Sequence, residues 1–149
     1  MRAVVQRVRS SCVTVEGKII GRIDKGFNVL IGICKDDTLE DLKYIKEKIV
    51  NLRVFHDEQG KMNLSILDVK GDILAISQFT LYGDCRKGRR PNFMEAMGGE
   101  EAKALYDKFI EMLKESQLKV ETGEFGAEMQ VEINNDGPVT ILLDSKRNF

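Results

Sequence analysis

The chain has 149 residues, of which 23 are basic and 24 acidic, and 42% are hydrophobic. That length and apolar content suit one domain, residues 1–149, with a proper core. The near-cancelled charge excludes a protein that coats nucleic acid indiscriminately, so any attraction to phosphate has to be local. The start, MRAVVQRVRSSCVTV, is too short in apolar residues and too interrupted by Arg to read as a signal peptide or membrane span. Cytoplasmic residence is the resulting expectation. Cys12, Cys34 and Cys85 are odd in number and scattered, which suits neither a disulfide framework nor a zinc knuckle. They read as free thiols, with Cys12 and Cys34 in the core.

In chain order, AVVQRV, then CVTVEGKIIGRI folded at Glu16-Gly17-Lys18, then the almost unbroken apolar run FNVLIGI read as strands. The last should be central and buried. From Thr38 to Leu52 the apolar residues Leu39, Leu42, Ile45, Ile49 and Leu52 recur at three- and four-residue steps behind Thr38 as N-cap, which predicts an amphipathic helix. After RVF and the HDEQGK turn comes a second strand set, DILAISQFTLYG. A second helix follows at about residues 100–116, with Ala102, Leu105, Phe109, Met112 and Leu113 facing inward. LKVETG, EMQVEIN and VTILLD close the chain as strands, the last two separated by NNDGPVT, which composition alone makes a turn. The pattern predicts an α+β fold: a single compact domain with a largely antiparallel, barrel-like sheet and two main helices.

Candidate chemistry is sparse. The one histidine, His56, opens a turn, and the acidic pairs Asp36-Asp37, Glu40-Asp41 and Glu100-Glu101 sit where helix capping and the helix dipole explain them. No metal site and no cofactor are expected. SQFTLYGD, residues 77–84, loads Ser, Gln, Thr and Tyr onto the end of an apolar strand, a place from which site residues project. A hydroxyl nucleophile there lacks a visible base. Directly after it, CRKGRRPNF puts Arg86, Lys87, Arg89 and Arg90 on a Gly- and Pro-containing loop, a focused phosphate-binding patch.

SQFTLYGD and NNDGPVT together, with VVQRV near the start and TGEFGAEMQVE before the Gly-Pro, resemble the D-aminoacyl-tRNA deacylase family over the whole chain. The family reads Ser-Gln-Phe-Thr at the first motif and Asn-x-Gly-Pro-x-Thr at the second, and both are present. The resemblance implies an enzyme that hydrolyses the ester of D-aminoacyl-tRNA, and of glycyl-tRNA mischarged on tRNA(Ala), without cofactor. It implies a homodimer in which Gly137-Pro138, in the cis form, enters the partner's pocket beside Ser77, Gln78, Phe79 and Thr80. There the two carbonyls would form a wall that rejects L side chains while D side chains point outward.

Arg7 would hold the cross-dimer Gly-Pro, and Met129 would pack against it. A backbone N–H near Phe79 would stabilise the oxyanion, with Ser77 and Gln78 shaping the pocket. Attack would be assisted by the substrate's ribose 2′-hydroxyl, with Thr80 as nucleophile the competing reading. Phe125 is the candidate for stacking the terminal adenine, and Arg86, Lys87, Arg89 and Arg90 for holding acceptor-stem phosphates. The alternative of another class is a small RNA-binding module in which both motifs are only strand and turn.

Overall fold

The computed structural model describes all 149 residues. Strand β1 (Arg2–Val15) is one uninterrupted element in place of the two expected. It turns into β2 (Lys18–Ile23) through Glu16 and Gly17, whose φ angles of 48° and 78° are the left-handed pair that a two-residue hairpin requires. The first half of β1 pairs antiparallel with β3 (Gly26–Gly32), which is buried almost throughout. Its other edge pairs along nearly its whole length with β8 (Gln130–Asp144).

Between β3 and β8 lie α1 (Leu39–Asn51), the small hairpin β4 (Phe55–His56) and β5 (Met62–Leu64), α2 (Ile66–Val69), β6 (Asp72–Ser77), α3 (Gly99–Lys114) and β7 (Val120–Thr122). β6 runs parallel to β3, and β7 parallel to β6. The sheet is therefore mixed: all three pairings of β1 are antiparallel, in line with the largely antiparallel expectation, and two parallel pairings are added to them. The reason is local: α1 and α3 carry the chain back across the sheet, and a return by helix delivers the next strand in the same direction. β2 and β7 then approach so closely that a Cβ on Gly21 would meet the Thr122 carbonyl oxygen at 2.7 Å, and the sheet nearly closes into a barrel.

Alternation along β6 feeds two apolar layers. Ile73 and Ala75 join Phe27, Phe55, Ile45, Ile49 and Phe109 in the main core beneath α1 and α3, while Leu74 and Ile76 join Val8, Val13 and Ile23 on the opposite face. Both helices bury the expected stripe with changes at the margins: Leu39 is exposed, Leu52 lies past the end of α1, and Tyr106 and Ile110 join the buried face of α3. Thr38 caps α1 in a capping box with Asp41. Asp37, expected to serve the helix dipole, is instead the buried counter-ion of the Met1 amine, which also donates to Ser145 Oγ at 2.7 Å. Cys12 and Cys34 are buried and Cys85 exposed. No helix is long and apolar enough to cross a membrane.

Two departures from the sequence reading shape the site. DILAISQFTLYG is not one strand: Gln78 N–H makes a last rung to the Ile31 carbonyl at 2.6 Å, and Phe79–Tyr82 then coils into a 3₁₀ turn closed by Leu81 N–H to Gln78 O at 3.2 Å. NNDGPVT is not a turn either. β8 runs straight through it, but Gln6 pairs with Thr140 and Val8 with Asn135, so residues 136–139 face the single residue Arg7. The surplus bulges out of the sheet's edge strand, one of the few strand positions that accepts a proline. The Gly137-Pro138 peptide is cis, and both residues are exposed.

Candidate active site

A mostly apolar cleft of about 550 Å³ opens where β6 ends. It is lined by Ser77, Gln78 and Phe79 at the end of β6, by Ala102 and Tyr106 of α3, and by Phe125 and Met129 ahead of β8. Thr80 is exposed in the 3₁₀ turn beside it. Gln78 Nε2 donates to Thr80 Oγ1, so the only intramolecular partner of that hydroxyl is an amide donor, which cannot accept its proton. Tyr106 donates its hydroxyl to the Ala75 carbonyl at 2.9 Å, and burial pushes its phenol well above the ordinary value. It stays protonated as part of the cleft lining. Neither His nor carboxylate lines the cleft; His56 is exposed in β4.

The aromatic rings divide into two pairs. Phe125 packs on Tyr106 with centroids 5.5 Å apart, so its face is partly used within the core. Phe79 is 56% exposed and meets Phe93 edge-on at 5.0 Å. Met129 lies over Gly123 within the cleft wall, not beside its own chain's Gly137. Phe93, Met97 and Tyr106 escaped the sequence reading. Tyr106 stands four residues after Ala102 and three before Phe109, so the helical period could have placed it on the buried face, but nothing in sequence brings α3 to the SQFT motif.

Gly137 and Pro138 are not in this cleft. Following the pairings, Gly137 lies opposite Arg7, three strands across and four residues along from Ser77. Measured along the curved sheet, that is about 20 Å at ~4.8 Å per strand and ~3.3 Å per residue. Arg7, 4% exposed, supports the bulge of its own chain: Nη1 donates to the Val54 carbonyl, and Nε lies 3.3 Å from both the Asp136 carbonyl and its Oδ2. Arg9 Nε holds the other carboxylate oxygen at 3.1 Å. A Cβ on Gly137 would stand 2.9 Å from Arg7 Nη2. Asp136, read in sequence only as a turn former, is the residue that ties both arginines to the bulge.

The basic loop is a small hairpin shut by reciprocal backbone bonds of 2.8 and 3.0 Å between Asp84 and Asn92. Lys87, Arg89 and Arg90 are exposed on it, whereas Arg86 grips Asp84 with Nε and Nη2 at 2.9 and 2.8 Å. That ion pair holds the Asp84 carboxyl well below its usual range. The four cations expected to act alike are thus three outward charges and one internal pair.

Comparison with known proteins agrees with these motifs. A family model described as D-Tyr-tRNA(Tyr) deacylase matches residues 4–144. Proteins named D-aminoacyl-tRNA deacylase from Clostridium beijerinckii and Clostridium botulinum are 79% and 74% identical over 149 residues, covering 100% of each chain. Among solved structures, a c-Myc DNA unwinding element binding protein superposes with TM-score 0.91 at 47% identity, covering 97% of this chain and 98% of that one. A probable eukaryotic D-amino acid tRNA deacylase, at 21% identity and TM-score 0.81 over 95% of this chain and 97% of its own, shares the fold. With its family model spanning nearly the whole sequence, the chain belongs to the D-Tyr-tRNA(Tyr) deacylase family.

Proposed function

We propose that the protein hydrolyses the ester of D-aminoacyl-tRNA, releasing the D-amino acid and free tRNA. It clears glycyl esters, including those mischarged on tRNA(Ala), by the same route. The observation that carries the mechanism is a cleft with hydrogen-bond donors but no base. The N–H groups of Phe79 and Thr80 open the 3₁₀ turn, where no preceding turn supplies acceptors, and Phe79 lines the cleft with Ser77 and Gln78, so these N–H groups are the donors that would receive the ester's oxyanion. Stabilising the tetrahedral oxyanion there is worth about 3 to 4 kcal/mol per donor. The substrate's vicinal 2′-hydroxyl assists attack, since Thr80 Oγ1 receives a proton donor in place of a base. Phe125 supports the terminal adenine and Lys87, Arg89 and Arg90 the acceptor-stem phosphates, in the cytoplasm where charged tRNA is used.

Stereochemical choice comes from a second copy of the chain. β8 is an edge strand with Leu142 57% exposed, and its bulge leaves Gly137 and Pro138 exposed at that edge, about 20 Å along the sheet from their own cleft. A bulge that enters a cleft must therefore enter a partner's. In that homodimer the bare backbone of Gly137-Pro138 stands against Cα of the aminoacyl group and excludes L side chains, so selection acts by rejection. Hydrolysis of matched D-tyrosyl-, L-tyrosyl- and glycyl-tRNA at low salt without added metal tests the reading. Turnover of the D and glycyl esters with the L ester intact is expected; tRNA binding with no cleavage would favour an RNA-binding module.

A further inference from the structure

The basic hairpin is joined to the cleft by a chain of short contacts that begins at Asp84. Asp84 Oδ1 accepts both Nε and the backbone N–H of Arg86, at 2.9 and 3.0 Å, while Oδ2 takes Nη2 at 2.8 Å. The same residue shuts the hairpin against Asn92 through its backbone. One residue on, Phe93 leaves the hairpin and sets its ring on Phe79, and both side chains line the cleft. There is no slack between the two elements: a Cβ on Gly83 would meet Phe93 Cε1 and the Thr80 carbonyl oxygen, each at 3.1 Å.

We propose that Asp84 and Arg86 form a staple that positions the Phe79 turn for ester cleavage through Phe93, and that Arg86 is not one of the cations that hold RNA phosphate. This rests on the deacylase reading above. A planar fork already closed on a carboxylate has its two best-directed donors used. A charge neutralised within the protein also adds little to counterion release on RNA binding. The pair is exposed, with Arg86 87% accessible, so its contribution to global stability is small. Its weight is geometric, because a displacement of about 1 Å in a site can cost as much as about 100-fold in rate.

The test compares D-tyrosyl-tRNA with the D-tyrosyl ester of adenosine, which carries no phosphate. Arg86→Gln and Asp84→Asn are expected to lower kcat on both esters by a common factor, on the order of tenfold, with melting temperature unchanged. Asp84→Asn removes the negative charge that neutralises Arg86, so its KM for the tRNA ester should not rise. Arg86→Lys, which keeps the charge but loses the fork, should remain impaired.

The slope of log kcat/KM against log salt should be the same in Arg86→Gln as in the wild type; loss of a true phosphate ligand would reduce it by about 0.7 to 0.9. Wild-type kcat on the adenosine ester in both Arg86→Gln and Asp84→Asn would overturn the staple alone. So would a reduced salt slope in Arg86→Gln with full rescue by lysine. A wild-type protein that cleaves neither ester would overturn the deacylase reading and the staple with it.

Discussion

Replacing Gly137 with alanine concentrates two costs at one atom. The residue holds φ at 118°, a conformation that side-chain-bearing residues adopt at a cost of about 1 to 3 kcal/mol. The added Cβ would also meet Arg7 Nη2 at 2.9 Å and Val139 Cγ2 at 3.0 Å. Arg7 cannot swing aside freely, since it is buried and bonded to Val54 and Asp136, and each charged hydrogen bond it gives up costs about 1.5 to 3 kcal/mol.

If the guanidinium shifts without losing all its partners, destabilisation of about 2 to 4 kcal/mol is expected. A domain of ordinary stability, about 5 to 15 kcal/mol, survives that. Urea denaturation gives the stability change, and single-turnover hydrolysis of D- and L-tyrosyl-tRNA gives the discrimination. The variant should stay folded, unfold at lower urea, and lose most of its preference for the D ester because the bulge is displaced. Stability within about 0.5 kcal/mol of the wild type, together with unchanged discrimination, would refute both the steric argument and the role given to the bulge.

Other expectations follow from the same geometry. Thr80→Val should retain turnover within about tenfold, measured under saturating D-tyrosyl-tRNA, whereas loss of a nucleophile costs on the order of 10⁴-fold or more. Hydrolysis should be insensitive to EDTA and to His56→Gln, since no group of His, Cys, Asp or Glu side chains is arranged to hold a metal ion and His56 lies outside the cleft. Leu142→Lys should shift sedimentation from dimer to monomer and remove stereoselective turnover together; a fully selective monomer would exclude the cross-subunit wall.

Acid stability is set by carboxylates such as Asp41. Its burial works to raise the pKa, but hydrogen bonds from Ser145, the Thr38 backbone and Lys146 outweigh this and hold it well below the ordinary value. A folded-state pKa below the unfolded one means stability that is present above about pH 4 and is lost as pH falls through the folded value. Asp41→Asn should flatten that loss in denaturation curves taken between pH 5 and 2.

The periodic stretches were legible in the sequence because burial imposes its own period on a helix or strand. Leu42, Ile45 and Ile49 announced α1, FNVLIGI announced a buried strand, and the SQFT and Gly-Pro motifs announced the family. Residues that depend on who stands opposite were not legible. SQFTLYGD looked like strand because Phe, Thr and Tyr favour strands, yet the ladder stops at Gln78.

NNDGPVT looked like a turn because its residues favour turns, but a turn and an edge-strand bulge use the same residue types. Only the pairing with β1, which places four residues against Arg7, separates them. The two parallel pairings, the approach of Phe93 and Tyr106 to the SQFT turn, and the capture of Arg86 by Asp84 likewise exist only in three dimensions. Periodicity and composition were enough for the longer strands, the two main helices, their apolar faces and a chemical vocabulary that contains no paired base. Tertiary structure decided where that vocabulary meets, because contacts between distant segments depend on strand order and on how the helices return across the sheet.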